Sequence, residues 1–186
     1  MLPNNKIPNP KNQPIIYAFI DAQNLSSGVN NSFDYWAGKG KRRQYQGWKL
    51  DMQKLIIYLK DRHKISKAIL FMGDDPKYTG MRNLFKSFGF DIVLKPHIMD
   101  KSTGKTKGNC DAELVLHACK IEYLNYDKAI VVTGDGDFFC LVQDLIKEGK
   151  LAKILIPNEF RYSQLFKPFV VNQGFFVSKL KHLLEK

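Results

Sequence analysis

The feature that most constrains this fold is an alternation of short apolar runs with segments of helical periodicity. Five runs have the pattern of strands buried on both faces, at residues 15–20, 68–72, 92–94, 129–132 and 152–156. Four amphipathic segments lie between them, at residues 50–61, 77–88, 110–124 and 138–148. Strands separated by helices pair in parallel, because each helix returns the chain to the same edge of the sheet. The sequence therefore predicts an α/β fold, a doubly wound, Rossmann-like and mainly parallel five-stranded sheet flanked by helices.

The length of 186 residues fits one domain. Residues 1–14 are rich in Pro and Asn and poor in apolar side chains, which predicts a disordered N-terminal tail before a single domain at 15–186. Residues 26–48 have no clear periodicity and are too long for an ordinary connection, so we predict an insertion there. A final helix is expected at 175–184, packed by Phe176, Leu180 and Leu183.

The charge balance favours an anionic partner. Lys and Arg total 29 against 18 Asp and Glu, a net charge of +11. Nucleic acid and acidic membrane surfaces both fit this excess. No apolar run reaches the roughly 20 residues of a membrane helix, so we expect a cytoplasmic protein without membrane insertion. The three cysteines lack CxxC spacing and are predicted to be small buried side chains, neither a disulfide framework nor a zinc site.

Acidic and amide side chains cluster where the predicted strands end. Asp21 and Asn24 follow the first strand, and Asp135 and Asp137 follow the fourth. Asp111 begins the helix that leads into the fourth strand, and such a helix starts at the same sheet edge. In a doubly wound sheet the first and fourth strands are neighbours where the strand order reverses. The sequence therefore predicts that four carboxylates converge there.

Crowded carboxylates repel one another unless a cation neutralises them. Mg²⁺ prefers oxygen ligands and commonly binds carboxylates together with substrate phosphates. The four aspartates are thus candidates for metal ligands and catalytic residues in phosphodiester hydrolysis. The alternative is structural: Asp135 or Asp137 can cap the helix that follows them, as can Asp111, and Asp21 with Asn24 can stabilise a tight turn.

The predicted insertion interleaves cations with aromatic rings. Lys41, Arg42 and Arg43 could follow a nucleic acid backbone, while Trp36 and neighbouring rings such as Tyr35 could stack on unpaired bases. The alternatives are a loop folded onto its own domain and a protein contact. Lys107, in the loop before Asp111, could meet a phosphate close to the metal, unless it is simply a solvated lysine.

Three segments resemble a known family. They are residues 19–25 (FIDAQNL), 107–114 (KGNCDAEL) and 132–138 (VTGDGDF). In this order they are similar to the NYN domains of the bacterial LabA-like group, which belong to the PIN-like nuclease superfamily. The resemblance implies a PIN-like fold and a metal-dependent ribonuclease site at Asp21, Asp111, Asp135 and Asp137. Asn24 matches the polar residue that follows the first acid of the family, and we expect it to contact substrate.

These observations favour an endoribonuclease that depends on Mg²⁺ or Mn²⁺ and acts on single-stranded or structured RNA. The alternative from another class is an RNA-binding or regulatory scaffold with negligible turnover. A phosphatase-type pair formed by Asp135 and Asp137 is less consistent, because that chemistry places its pair after the first strand, where only Asp21 stands. The sequence leaves open whether the protein forms a homo-oligomer.

Overall fold

A parallel sheet forms the centre of the protein. The computed structural model describes residues 13–38, 40–96, 98–99, 106–107 and 110–186. The strands in this part of the chain are β1 (Ile16–Asp21), β2 (Phe33–Trp36), β3 (Arg42–Tyr45), β4 (Lys67–Asp74), β5 (Asp91–Pro96), β6 (Ile98–Met99), β7 (Thr106–Lys107), β8 (Lys128–Val132), β9 (Leu151–Ile156) and β10 (Gly174–Phe176). The α-helices described are α1 (Ala22–Asn30), α2 (Met52–His63), α3 (Thr79–Phe88), α4 (Asp111–Leu116), α5 (Phe139–Lys147), α6 (Lys167–Gln173) and α7 (Lys181–Leu184).

The central sheet has the strand order β10-β9-β8-β1-β4-β5. From β1 the chain moves outward through β4 to β5, returns to the other side of β1 at β8, and moves outward again through β9 to β10. The strand order therefore reverses between β1 and β8, and the predicted doubly wound α/β class is confirmed. The sheet has six strands instead of the predicted five.

The additional strand is β10, at the edge of the sheet, where it pairs in parallel with β9. The helix predicted at 175–184 is therefore wrong over its first part. A 3₁₀ turn at Val177–Leu180 follows β10, and α7 contains only four residues. Leu184 is buried in the core, whereas Leu183, predicted to pack there, is exposed. A three-residue strand is too short for its periodicity to be distinguished from that of a helix.

Helices cover both faces of the sheet. On β1, Ala18 and Ile20 pack into one apolar cluster and Phe19 into the other, as the two-residue period of a strand requires. The first cluster includes side chains of α1 and α2, and the second includes those of α4 and α5. The expectation of buried cysteines is wrong, because Cys110 and Cys119 are half-buried and Cys140 is exposed. No helix in the described residues is long and apolar enough to cross a membrane.

The segment predicted as an irregular insertion is ordered. Helix α1 occupies residues up to Asn30, because Asp21 caps it by accepting the Asn24 N–H at 2.9 Å and Leu25 and Val29 are buried one turn apart. Strands β2 and β3 then form an antiparallel hairpin. The hairpin is anchored to α1, since the Tyr45 hydroxyl and the Trp48 N–H both donate to the Val29 carbonyl. This part of the segment thus folds onto its own domain.

Two parts of the chain named in the sequence analysis lie outside the described residues. They are residues 1–12 of the predicted tail and the side chain of Lys107, whose backbone belongs to β7.

Candidate metal centre

Three of the four predicted acids meet at one edge of the sheet. Carboxylate oxygens of Asp111, Asp135 and Asp137 lie within 4.8 Å of one another. Asp111 is the first residue of α4, and the other two lie in the turn between β8 and α5. Asp111 and Asp135 are half-buried, whereas Asp137 is exposed. The reversal of strand order thus places three anionic side chains where one cation could contact all of them.

Asp21 lies beside this group at the end of β1. The pKa of its carboxyl group is raised from 3.8 to about 6, mainly by burial. The negative charges of Asp111 and Asp135 also raise this pKa, whereas the hydrogen bond from the Asn24 backbone N–H lowers it. Asp21 therefore interacts electrostatically with two of the three clustered acids, although its own oxygens are not among those that lie within 4.8 Å of one another.

Asn24 and Thr133 hold the two strand ends together. The side-chain oxygen of Asn24 accepts the Gly134 N–H at 2.8 Å, which ties α1 to the turn after β8. The buried Thr133 hydroxyl donates to Asp21 Oδ2 at 3.5 Å and accepts the Asp135 N–H at 3.2 Å. Asn24 thus has a positioning contact besides the predicted contact with substrate. Sequence reasoning did not single out Thr133, although it stands between the fourth strand and the acids.

Two of the four acids form caps, Asp135 as the sequence allowed and Asp21 where only a tight turn was considered. Asp21 caps α1, and Asp135 Oδ1 accepts the Asp137 N–H at 3.1 Å at the start of the 3₁₀ turn Gly136–Phe138. Asp111 is the first residue of α4, and the N-cap position before it is occupied by Cys110. Capping therefore does not explain why Asp111 lies beside Asp135 and Asp137.

An open cleft of about 730 Å³ is lined by two of the acids, Asp135 and Asp137. One wall contains Asn24, Asp135 and Asp137, and the other is formed by residues 160–163 and Leu165. The walls are close at Gly136, where a Cβ would lie 2.5 Å from the Ser163 hydroxyl oxygen. Sequence reasoning missed Arg161 in this cleft. The available signal was its position soon after β9, whose carboxyl end lies at the same edge as the acids.

The predicted cations and aromatic rings of the hairpin lie on both of its faces and do not form a single binding surface. Residues directly opposite in an antiparallel pair share a face, which places Arg42 with Trp36 and Arg43 with Tyr35 on the other face. Arg42 is paired with Asp34 at 2.6 Å, whereas Lys41 is exposed next to it. The Trp36 side chain is 75% exposed, while the Tyr35 ring stacks on Phe160 with their centroids 3.9 Å apart.

The acids fit a hard divalent cation. Their donors are carboxylate oxygens. Burial is the main cause of the raised pKa of Asp21, and the negative charges of Asp111 and Asp135, which raise it further, are charges that a cation would neutralise. Asp111, Asp135 and Asp137 would hold the ion, with Asp21 beside them.

The raised pKa of Asp21 predicts an unusual dependence of stability on pH for the metal-free protein. Between pH 4 and 6 the folded state holds a proton that the unfolded state releases, so the free energy of unfolding should fall as pH rises through this window and level off above it. Asp21→Asn should remove this dependence and raise the melting temperature at pH 7 by several degrees, since the amide oxygen can still cap α1. Thermal melts in EDTA from pH 4 to 7 measure both effects. Equal melting curves for the two proteins at pH 7 would contradict this prediction.

Together, the parallel sheet and the acidic edge at its point of reversal define a PIN-like α/β domain. The sequence matches the NYN domain family over residues 16–167, which is most of the chain. The protein therefore belongs to the NYN domain family, a PIN-like nuclease family. The LabA-like group stays a prediction.

A crystal structure of a protein of unknown function from Vibrio parahaemolyticus has a similar fold. The TM-score is 0.62 at 21% sequence identity, with 91% of this chain and 96% of that chain covered. At this identity the similarity concerns the fold alone. A search of curated proteins gave no match.

Proposed function

We propose that this NYN domain is an endoribonuclease that uses Mg²⁺ or Mn²⁺ to hydrolyse phosphodiester bonds of RNA. The main support is the grouping of Asp111, Asp135 and Asp137 within 4.8 Å, with Asp21 beside them. Asp135 and Asp137 also line an open cleft. The net charge of +11 makes a polyanion the favoured substrate, although the catalytic edge itself is acidic. A cation between acids and phosphate reconciles these two charges.

Some residues of the site would bind the cation or the RNA, and others position the acids. When bound, the cation would neutralise charge on the phosphate and lower the pKa of an attacking water. Binding of the cation would lower the pKa of Asp21 and keep its carboxyl group ionised, because a neighbouring positive charge favours the charged form. Asn24 and Thr133 hold the turn that presents Asp135. Arg161, exposed on the opposite wall, can bind a phosphate of the same strand.

Cleavage of a labelled, unstructured RNA tests this proposal. Product should accumulate with Mg²⁺ or Mn²⁺ and disappear with excess EDTA. The same protein should melt at a higher temperature with either metal, because a ligand that binds only the folded state stabilises it. RNA binding without cleavage under any metal condition would instead support the alternative of a binding or regulatory scaffold.

A further inference from the structure

A second cavity of about 320 Å³ adjoins the acidic cleft at the hairpin. It is lined by four consecutive residues of β2, at positions 33–36, together with Phe160 and Arg161. Phe160 and Arg161 also line the cleft that contains Asp135 and Asp137. The two cavities therefore form one continuous surface that runs from the acids to Trp36.

The aromatic rings on this surface have different surroundings. Tyr35 and Phe160 stack nearly parallel, with an angle of 13° between their planes, so each covers a face of the other. This pair fixes the hairpin against the loop after β9. Trp36 is 75% exposed, and its large ring is available to a flat ligand. An exposed indole on a hairpin that this pair holds in place is suited to stacking on a nucleobase.

Cations flank the same surface. The Arg161 guanidinium lies over the Phe33 ring, 5.4 Å from its centroid, in the part of the surface that both cavities share. Arg42 lies directly across the hairpin from Trp36, and its bond to Asp34 fixes it there. Lys41 is exposed next to Arg42, whereas Arg43 lies on the other face of the hairpin, with Tyr35. Positive charge beside an exposed ring matches a strand of nucleic acid, which offers phosphates and base faces at alternating positions.

We infer that this surface binds the unpaired part of an RNA substrate, with Trp36 stacked on a base and Arg161 bound to the backbone between that base and the acids. This inference rests on the proposed function, because it assumes that the acids mark the bond to be cleaved. Trp36 can reach a base face only where the base is unpaired, since both faces are covered inside a duplex. The surface therefore selects unpaired RNA over duplex.

Binding measured without cleavage tests this inference. The probe is a fluorescein-labelled 12-nucleotide oligouridine, compared by anisotropy in EDTA with a 12-base-pair RNA duplex. Trp36→Leu, which keeps apolar bulk but removes the ring, should weaken binding of the single strand about tenfold and leave duplex binding unchanged. Trp36→Phe should retain most of the affinity. Equal losses for single strand and duplex, or no loss for either, would overturn the inference.

Arg161 is tested against a matched arginine at the opposite edge of the sheet. Arg161→Ala should weaken single-strand binding and reduce the slope of log affinity against log salt concentration by about 0.7. Arg62→Ala removes the same charge from the end of α2, where Arg62 is exposed, and should change neither. Equal effects of the two variants would mean that Arg161 acts only through net charge, which contradicts a specific backbone contact.

Tryptophan fluorescence gives an independent measurement. The protein has two tryptophans, and Trp48 is only 4% exposed, so quenching by the oligouridine should come from Trp36 and be lost in Trp36→Phe. Unchanged quenching in that variant would overturn the stacking contact.

Measuring binding and cleavage separately distinguishes the failure of this inference from the failure of the proposed function. Trp36-dependent binding by a protein that never cleaves RNA contradicts the proposed function alone, whereas metal-dependent cleavage with Trp36-independent binding contradicts this inference alone.

Discussion

Asp135→Asn is expected to reduce metal-dependent RNA cleavage by more than about 100-fold, since a metal contributes several kcal/mol to stabilising charge in the transition state. Asn keeps a side-chain oxygen that can accept the Asp137 N–H, so the turn after β8 should survive the change. The loss should therefore arise from weaker metal binding and not from unfolding. The measurements are the rate of cleavage of a labelled RNA and the rise in melting temperature on addition of Mg²⁺ or Mn²⁺.

Asp61→Asn is the matched control for this variant. It makes the same chemical change at an exposed position of α2, near the opposite edge of the sheet from the acids. It should cleave RNA like the wild-type protein and show the same metal-induced rise in melting temperature. Cleavage by Asp135→Asn at the wild-type rate, in samples free of contaminating nuclease, would remove this aspartate from the catalytic site.

Gly47→Ala is expected to destabilise the protein by about 2 to 3 kcal/mol, the upper range for overpacking at a tight contact. A Cβ at this position would overlap the carbonyl oxygen of Asn30 and lie 2.5 Å from its carbonyl carbon. These are backbone atoms at the end of α1, so the strain cannot be relieved by rotating a side chain. The free energy of unfolding is measured by urea denaturation, followed by the fluorescence of the buried Trp48 next to the substitution.

Gly80→Ala provides the comparison. Gly80 lies in α3, and among the residues that the structure describes, no atom outside its own helical turns lies within 4 Å of the position a Cβ would take. This variant should be as stable as the wild-type protein or more stable by up to about 1 kcal/mol, because alanine favours a helix over glycine. If Gly47→Ala were equally harmless, the contact between the hairpin and α1 would be looser than the structure indicates.

The parallel sheet could be predicted from the sequence because its main strands are continuous apolar runs. Helix α1 was missed because it is rich in Asn and Ser, which are poor helix formers. It forms through the Asp21 cap and the burial of Leu25 and Val29, and only tertiary packing supplies that burial. Because this helix was missed, the hairpin that follows it was missed too. The two-residue period of the hairpin places Tyr35 and Trp36 on opposite faces.

The position of the acids was predictable from topology, since chain order places Asp21, Asp111 and Asp135 near strand or helix ends that share one edge. Their distances and hydrogen bonds depend on contacts between segments that are far apart in sequence. The bond from Gly134 N–H to Asn24 spans 110 residues, and no local pattern encodes it. The position of Phe160 and Arg161 soon after β9 indicated their edge of the sheet, but their contacts with the hairpin arise only in the folded chain.

The capping bonds of Asp21 and Asp135 affect the entropy cost of binding a cation. Each bond to a backbone N–H uses Oδ1, so both carboxylates are already oriented by the fold. A carboxylate fixed in this way loses little rotational freedom on meeting an ion. The metal site should therefore be preformed, so that binding leaves the circular dichroism spectrum unchanged and has a small entropy cost. Small metal-binding domains that fold only around their ion behave in the opposite way.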